Sequence, residues 1–155
     1  MTIIIHFLLS CLGTIAFGVV SNVPRQALFC SGLTGGVGWV CYYLLMNHEF
    51  GLATSNFFAT FLMGCISIYF SRKLKIPVII FNIPSLVPLV PGGPAYKAAR
   101  DFVVGNNYGA FENLMVVLVT AGSIAGAFIM TSLVEQIYHK RRLKRLNKKE
   151  TRHIR

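Results

Sequence analysis

The chain has 155 residues, of which 54% are hydrophobic and only 13% are charged, and its mean hydropathy is +0.61. Because soluble domains carry about 25% charged residues, this composition excludes an ordinary soluble domain and predicts an integral membrane protein. The net charge of +10 comes mainly from the end of the chain, where nine of the fifteen Lys and Arg lie at or after Lys140. No aromatic residue is interleaved with them after Tyr138, which favours a role in membrane topology and contact with membrane lipid over binding of nucleic acid.

Five apolar segments follow one another along the chain, which predicts an all-α membrane protein with five transmembrane helices. The segments extend over Ile3 to Val20, Ala27 to Met46, Leu52 to Phe70, Pro77 to about Pro91, and Leu114 to Val134. Together they form a predicted transmembrane domain over residues 1–138, which is followed by a basic cytoplasmic tail over residues 139–155.

The distribution of Lys and Arg orients these segments. With the basic tail in the cytoplasm, five spans place the basic loop of residues 72–75 on the same side, together with Arg25. Thirteen basic residues then lie inside, and two, Lys97 and Arg100, lie outside. Four spans would put the basic loop outside, so the positive-inside rule favours five spans with the N-terminus out and the C-terminus in.

Two pairs of glycines have the four-residue spacing that lets helix backbones approach closely in lipid. The pairs are Gly32 with Gly36 in the second segment and Gly122 with Gly126 in the fifth. Each pair is a candidate either for helix packing inside the subunit or for an interface with a partner. Packing inside the subunit is the more frequent use, and we expect it for at least one pair.

The fourth segment, IPVIIFNIPSLVPLVPGGPAY from Ile76 to Tyr96, is apolar yet contains five prolines. Proline removes a backbone donor and clashes with the preceding helical turn, so this segment cannot form one continuous helix. Three explanations compete: a proline kink, an ordinary extracellular loop, and a helix broken near the middle of the membrane that lines a water-filled path. A kink needs fewer prolines and a loop would leave too little helix to cross, so we favour the broken helix. Its candidate path residues before the glycines are Asn82, Pro84, Pro88 and Pro91.

After the break, Gly92 and Gly93 allow a tight reversal, and Pro94 suits the first turn of a new helix. We expect this short helix to extend to about Val104. Its free N–H groups would point back toward the prolines, and the start of a helix attracts negative charge. The break therefore predicts a site for a carboxylate.

Two cations of the short helix add to this prediction. Lys97 and Arg100 are three residues apart, so they lie on one helical face and bring positive charge close to the break. An equally weighted alternative is a solvated interfacial pair, in which Arg100 bonds to Asp101 or Glu112. The sequence leaves ligand contact and the interfacial pair open.

Other polar side chains inside the apolar segments have structural explanations. His6 is interpreted as an interfacial histidine. Asn56 and Ser55 are predicted to form hydrogen bonds in helix packing, with substrate contact as the less frequent possibility. Thr120 and Ser123 are predicted to bond within or between helices.

No group of residues indicates catalysis. The four cysteines lie inside apolar segments without a CxxC or Cys/His cluster, so they are interpreted as small buried residues. Nothing resembles a pair of buried carboxylates, a metal triad or a nucleophile elbow. The sequence therefore predicts no catalytic residue, no metal site and no cofactor, and it argues against an enzyme.

Two stretches, taken together, resemble a known family. They are NVPRQALFCSGLTGGVGWVCYYLL from Asn22 to Leu45 and RKLKIPVIIFNIPSLVPLVPGGPAYKAARDFVVGN from Arg72 to Asn106. Both resemble the small C-terminal-half module of the threonine/serine exporter (ThrE) family, whose signature has a PLVPG core followed by a Tyr. In this chain the core is Pro88 to Gly92 and the tyrosine is Tyr96. The five-span pattern of the family covers nearly the whole chain, up to about His139.

The resemblance implies an efflux carrier for small carboxyl-bearing metabolites in the bacterial inner membrane. Stand-alone members of this length are of the YjjB type, which works with a separate larger membrane subunit and is linked with succinate export. Pro94 and Ser85 depart from the family pattern, and either change bears on the geometry of the break or on substrate choice. The resemblance implies that the residues of this chain that match the family motif form part of the substrate path. They are Pro88, Pro91, Gly92, Gly93 and Tyr96.

Residues and resemblance together predict one subunit of a secondary transporter, with residues 1–138 as its transporter-subunit domain. It would export a small carboxylate metabolite, either a succinate-type dicarboxylate or threonine and serine, together with a larger partner subunit. The expected mechanism is alternating access, with the carboxylate held at helix ends in the broken span. Two other functions stay open: a non-transporting membrane scaffold or assembly subunit, and a homo-oligomeric channel.

Overall fold

The computed structural model describes the backbone of residues 1–153 and the side chains of residues 1–137, and this part of the chain is helical without a β-strand. The expected all-α architecture is therefore confirmed. The elements are α1 (Thr2–Val20), α2 (Arg25–Asn47), α3 (Leu52–Leu74), α4 (Val78–Ser85), a 3₁₀ turn (Val87–Leu89), α5 (Gly92–Val104) and α6 (Asn107–His153).

Prolines and residues with positive φ determine where these helices begin and end. Pro24 and Pro77 stand immediately before α2 and α4, where the missing N–H of a proline breaks no helical hydrogen bond. Lys75 ends α3 in the left-handed conformation, with φ 57°. Gly51 precedes α3 with φ 79° and Gly105 joins α5 to α6 with φ 84°, conformations that glycine adopts because it has no Cβ. Single residues thus set the turns.

Four helices are long and apolar enough to cross a membrane, namely α1, α2, α3 and the part of α6 from Asn107 to Ile137. A fifth crossing forms if the bent pair of Val78–Leu89 and Gly92–Val104, which meet at 57°, counts as one span. The fold thus agrees with five segments of which the fourth is broken. The placement of the N-terminus outside stays a prediction.

The broken fourth span includes more of the chain than the sequence indicated. Its first part, Val78–Leu89, covers only about 18 Å at about 1.5 Å per residue, whereas the hydrocarbon core is about 30 Å thick. If the bent pair forms one span, α5 supplies the remaining length, and the span then ends beyond the predicted Pro91.

The expected reversal at Gly92 and Gly93 is wrong. Both glycines belong to α5, which begins at Gly92 rather than at Pro94, and neither has a positive φ. Pro94 does lie in the first turn, as expected, because a proline there breaks no helical hydrogen bond. The break lies before the glycines, where Val90 is extended with φ −64° and ψ 129° and Pro91 caps α5.

The last helix is longer at both ends than the predicted fifth segment. It begins at Asn107 instead of Leu114 and continues through the predicted domain boundary at residue 138 to His153. The reason is that no proline interrupts the sequence after Asn107. The side chains of the predicted basic tail, residues 139–155, lie outside the described residues, so its role stays a prediction.

The helices pack in the order α1, α2, α3, α6 and α5, and α4 lies against α1, α2 and α3. A Cβ atom at Gly32 would lie 2.6 Å from Cγ1 of Ile15 on α1, and one at Gly36 would overlap with α1 as well. In contrast, a Cβ at Gly122 would meet nothing within 4 Å, and one at Gly126 would make an ordinary contact at 3.7 Å. The pair in α2 therefore packs inside the subunit, whereas Gly122 is uncovered.

Much of the interior of the bundle is polar, and its exterior is apolar. Large apolar side chains such as Leu9 and Leu12 on α1 are exposed by 63% and 62%. This distribution suits a protein surrounded by lipid, in which close packing and hydrogen bonds hold helices together instead of apolar burial. The buried polar side chains are Ser10, Thr14, Ser31, Thr34, Ser55, Asn56, Thr60, Ser67, Ser85, Thr120 and Thr131.

Candidate functional site

A pocket of about 230 Å³ lies where the break in the fourth span meets α2, α3 and α6. The break contributes the residues 88–91 and Pro94 to the lining. The three helices contribute the remaining residues, which are Trp39, Tyr42, Leu52, Asn56, Val116 and Thr120. The pocket is therefore built from both sides of the proline break.

The prolines form one wall because the chain cannot continue its helix there. The carbonyl of Leu86 accepts from Leu89 N at 2.8 Å and from Val90 N at 3.2 Å, which tightens the chain into the 3₁₀ turn. Pro88 and Pro91 have no N–H, so neither adds an unsatisfied donor inside the membrane. Beyond the turn the chain bends by 57° into α5.

The first turn of α5 presents one backbone donor. Gly92 N donates to the carbonyl two residues before it at 2.8 Å, Ala95 N donates to Pro91 O at 3.0 Å, and Pro94 has no N–H. The N–H of Gly93 is the donor that is left, between two prolines that line the pocket. The several free N–H groups expected from the sequence are thus reduced to one.

Asn56 and Thr120 bring polar side chains into this lining, and they are 2% and 3% exposed. Asn56 Nδ2 donates to Leu52 O at 2.8 Å, which leaves its Oδ1 able to accept a hydrogen bond. The hydroxyl of Thr120 can donate and accept. This bond lies within α3 and joins no two helices, so the packing bond predicted for Asn56 stays a prediction, and the structure adds that both residues line the pocket.

Trp39 and Tyr42 provide aromatic surface, with ring centroids 5.3 Å apart. Nε1 of Trp39 donates to Nδ1 of His6 at 3.4 Å, so a residue of α1 helps to fix the orientation of the indole ring. The ring of His6 also lies 4.6 Å from the ring of Tyr43. His6, interpreted from the sequence as an interfacial residue, therefore supports a wall of the pocket.

The predicted path residues fall into three groups. Pro88 and Pro91 line the pocket. Asn82 and Pro84 lie in α4, before the break. The third group is exposed on α5 and consists of Gly92, Gly93, Tyr96, Lys97 and Arg100. Passage of a substrate along any of the three groups stays a prediction.

The two cations of α5 are exposed, as the interfacial alternative expects, and they do not line the pocket. Asp101, a predicted partner of Arg100, instead accepts a hydrogen bond from Nδ2 of Asn113 on α6 at 3.4 Å. This bond joins the two helices next to the turn at Gly105. Contact of Lys97 or Arg100 with a ligand stays a prediction.

An apolar cluster, here called the apolar plug, borders the pocket toward the C-terminal end of α3. It consists of Ala59, Met63 and Leu89, each at most 4% exposed, with Ile124 packed against them. Leu89 belongs to both the plug and the pocket lining. Gly38 makes room for the plug, because a Cβ at this position would overlap with the thioether of Met63.

Around and beyond the plug, several buried polar groups lack partners. Burial of a polar atom without a hydrogen bond costs about 1–3 kcal/mol, so such groups need an explanation. Within the part of the chain whose side chains are described, the unpartnered atoms are the hydroxyls of Thr14, Ser31, Thr60 and Ser67 and Oδ1 of Asn82.

Other hydroxyls of the same bundle are satisfied locally. Each donates to the carbonyl four residues earlier at 2.7 or 2.8 Å, the bond that Ser and Thr commonly form inside helices. The residues with this bond are Thr34, Ser55, Ser123 and Thr131. The unpartnered hydroxyls therefore lack a bond that other hydroxyls of the same fold make, and the predicted bond of Ser123 within its helix is confirmed.

The lining determines what the pocket can hold. No charged side chain lines it, and residues 1–137 contain no group of three His, Cys, Asp or Glu that could hold a metal ion. Hydrogen-bonding groups of Asn56 and Thr120 lie there among proline and aromatic surfaces, and Gly93, whose N–H is free, stands in the sequence between the lining residues Pro91 and Pro94. The arrangement suits non-covalent binding of a small polar molecule.

The model of the family described as Threonine/Serine exporter, ThrE, matches residues 6–134. The match includes α2 to α5 and every residue that lines the pocket. No solved structure matches the chain. Because the match covers most of the sequence, the chain belongs to the threonine/serine exporter (ThrE) family of transporters, as the two resembling stretches predicted.

Proposed function

We propose that this chain is one subunit of a secondary transporter that exports a small carboxyl-bearing metabolite across the bacterial inner membrane. The pocket at the broken fourth span carries the proposal, since it places polar groups beside an unwound backbone among apolar helices. Carriers commonly bind their substrates at such broken helices. Membership of an exporter family supports the same function.

The volume of the pocket restricts the cargo to small molecules. At about 230 Å³ it is smaller than most small-molecule sites, which measure roughly 300–1,000 Å³. Threonine, serine and a short dicarboxylate such as succinate all belong to this size class. Trp39 and Tyr42 would separate such a cargo from lipid, while Asn56 and Thr120 would replace part of its hydration.

The absence of charged residues from the lining favours threonine or serine. A dianion would lose its hydration there without a cation to compensate, which is unfavourable in an apolar environment. A zwitterionic amino acid has no net charge. Its carboxylate could accept from the N–H of Gly93 at the positive end of α5, and its ammonium group could donate to Oδ1 of Asn56.

A succinate-type dicarboxylate is the second candidate, and the exposed cations of α5 favour it. Lys97 and Arg100 follow Pro94 within two helical turns, so an anion that passes the mouth of the pocket would be attracted to them. Charge removal at these two residues separates the candidates, because it should slow a dianion more than a zwitterion.

The proposed carrier includes a larger membrane subunit of the same family. Five spans without an internal repeat are few for alternating access, which commonly uses two related halves. Gly122 offers a place for close approach, because nothing lies within 4 Å of its Cβ position. A scaffold subunit and a homo-oligomeric channel are the competing functions, and both predict a different dependence of flux on the second chain.

The test is efflux of labelled threonine and labelled succinate from preloaded vesicles, with this chain alone and together with a larger ThrE subunit. We expect efflux only with both chains, and faster efflux of threonine. Asn56→Leu should lower it about tenfold, equivalent to about 1.4 kcal/mol. Ser123→Ala is the control, since its hydroxyl bonds within its own helix.

Each alternative outcome has a distinct meaning. Efflux from this chain alone would favour the homo-oligomeric channel. Absence of efflux of either cargo, with both chains correctly inserted, would contradict the proposal and favour the scaffold. The dicarboxylate would be established as cargo by two results together. Threonine efflux would be slow, and succinate efflux would fall in a Lys97→Gln, Arg100→Gln double variant.

A further inference from the structure

The apolar plug separates two unlike parts of the seam between α2, α3 and α4. On α3 the pocket residue Asn56 comes first, then the plug residue Met63, and then the unpartnered Ser67. Ser67 therefore lies roughly 16 Å from Asn56 along the helix axis. The same order holds along the fourth span, where Leu89 belongs to the plug and the unpartnered Asn82 lies beyond it.

The unpartnered groups beyond the pocket lie on helices that pack against one another. Thr60 and Ser67 are seven residues apart, which is two turns, so they share a face of α3. Ser31 lies seven residues before Gly38, the residue of α2 that contacts Met63, so it shares that face of α2. Helix α4, which carries Asn82, packs against both α2 and α3.

We propose that the polar track, defined as Ser31, Ser67 and Asn82, is the second half of the substrate path. Met63 is the side chain that closes the track from the pocket in this structure. This assignment rests on the proposed transport function and adds the route by which cargo reaches or leaves the pocket. Uncharged hydroxyl and amide groups suit a small hydrophilic cargo without net charge, such as a zwitterion.

The hydrogen-bonding pattern distinguishes this path from helix packing. Side chains that only join helices would be bonded, as the hydroxyls of Ser10 and Ser85 are, which donate to Gly35 O and Ser31 O on α2. The side chains of the polar track are at least partly buried, yet each has an atom without a partner in the described part of the chain. Cargo and water in an opened track would supply the partners that these atoms lack here.

Met63 has the properties that a closing side chain needs. Methionine is unbranched and changes rotamer readily, so it can leave a position without a shift of its helix. The neighbouring Gly38 has no side chain that would hold the thioether in place. Of the three plug residues, only Met63 has both this rotamer freedom and a side chain long enough to separate the pocket from the track.

The test measures accessibility of single cysteines in the full-length chain in membrane vesicles, with a membrane-impermeant maleimide. The background carries Ala at the native Cys11, Cys30, Cys41 and Cys65. Ser67→Cys reports on the track. Thr131→Cys is the matched control, since Thr131 is also a buried hydroxyl residue but is bonded within its helix.

We expect Met63→Ala to raise the labelling rate at Ser67→Cys by about tenfold or more, because local opening of the track no longer has to displace the thioether. The rate at Thr131→Cys should stay unchanged. Met63→Leu, which keeps the volume, should leave both rates as they are. If Met63→Ala does not insert, Gly38→Ala serves instead, because its Cβ would displace the same side chain.

Equal labelling of Ser67→Cys with and without the change at Met63 would overturn the proposal. So would labelling of Thr131→Cys that rises in parallel, because the effect would then be general loosening. Labelling needs no knowledge of the cargo, so it is independent of the efflux experiment. If efflux occurs but Ser67→Cys is not labelled, the proposed track is excluded and the proposed function stands. Accessibility without efflux of threonine or succinate would support the track and remove the proposed cargo.

Discussion

Two glycine pairs with the same spacing have different surroundings in this bundle. Gly32 and Gly36 are covered by α1, whereas Gly122 meets nothing and Gly126 makes an ordinary contact. Both helices have two neighbours in the packing order, so the difference depends on the helix face: α1 covers the face of α2 with Gly32 and Gly36, and nothing covers Gly122 on α6. A four-residue spacing shows that a close approach is possible, and the helix face on which the pair lies decides whether the same chain makes it.

The largest effect should come from filling both positions of one pair. Gly32→Leu with Gly36→Leu would push α1 away from α2, and overpacking costs about 1–3 kcal/mol at each site. We expect the folded subunit to be lost at growth temperature, as measured by thermal unfolding in detergent. Gly122→Leu with Gly126→Leu is the control and should unfold close to the wild-type temperature. A stable α2 variant would show that the covered pair is not closely packed.

Two glycines of the α3–α6 contact sharpen the comparison at single sites. A Cβ at Gly64 would lie 2.6 Å from Cγ2 of Thr131, whereas one at Gly126 would lie 3.7 Å from Phe57. Gly64→Ala should therefore lower the free energy of unfolding by about 1–3 kcal/mol. Gly126→Ala should raise it by up to about 1 kcal/mol, because alanine favours a helix. The measurement is denaturation by SDS. If both variants changed the free energy of unfolding in the same direction, this difference between the two sites would be contradicted.

Association with a second chain can separate the uncovered pair from simple lipid exposure. If Gly122 contacts the larger subunit, Gly122→Leu should lower co-purification of the two chains about tenfold, equivalent to about 1.4 kcal/mol. The unfolding temperature of this chain alone should not change. Leu118→Ala on the same helix, at an exposed position, serves as a control for altered lipid contact. Unchanged co-purification would mean that Gly122 faces lipid.

The smallest structural effect should come from the third set of glycines, at the start of α5. A Cβ at Gly92 or Gly93 would meet nothing within 4 Å, so Gly93→Ala should leave both stability and efflux close to wild type. Gly93→Pro removes the one free N–H of this turn at a position where proline is tolerated. It should lower efflux about threefold to tenfold, the effect of losing about 1 kcal/mol of hydrogen bonding. Equal efflux of the two variants would exclude this donor from cargo binding.

The fold was largely predictable because its determinants are local. Apolar length indicated the spans, and the prolines at positions 84, 88 and 91 indicated the break, since each acts on its own turn of the chain. The start of α5 was not predictable in this way. Gly92 can adopt either hand of backbone conformation, and packing of α5 on α6 decides between them. The early start of α6 at Asn107 was missed for a similar reason, because its first turns are not continuously apolar and pack on α5.

The candidate site was predictable only along one stretch of chain. Pro88 and Pro91 were found because a break is visible in the sequence itself. Trp39 and Thr120 come from helices that are distant in sequence, and their contribution depends on how these helices are rotated about their axes. Asn56 was interpreted as a residue of helix packing, whereas its observed bond to Leu52 lies within α3 and its side chain lines the pocket.

The polar interior has a consequence for how temperature acts on this protein. In water, the heat capacity rises on unfolding because apolar surface becomes hydrated, and the stability curve bends accordingly. Here Leu9 and Leu12 already face outward in the folded state, and hydroxyls occupy much of the interior. Separation of the helices within a bilayer would therefore hydrate little new apolar surface. Its free energy should change almost linearly with temperature, without the loss of stability in the cold that soluble domains show.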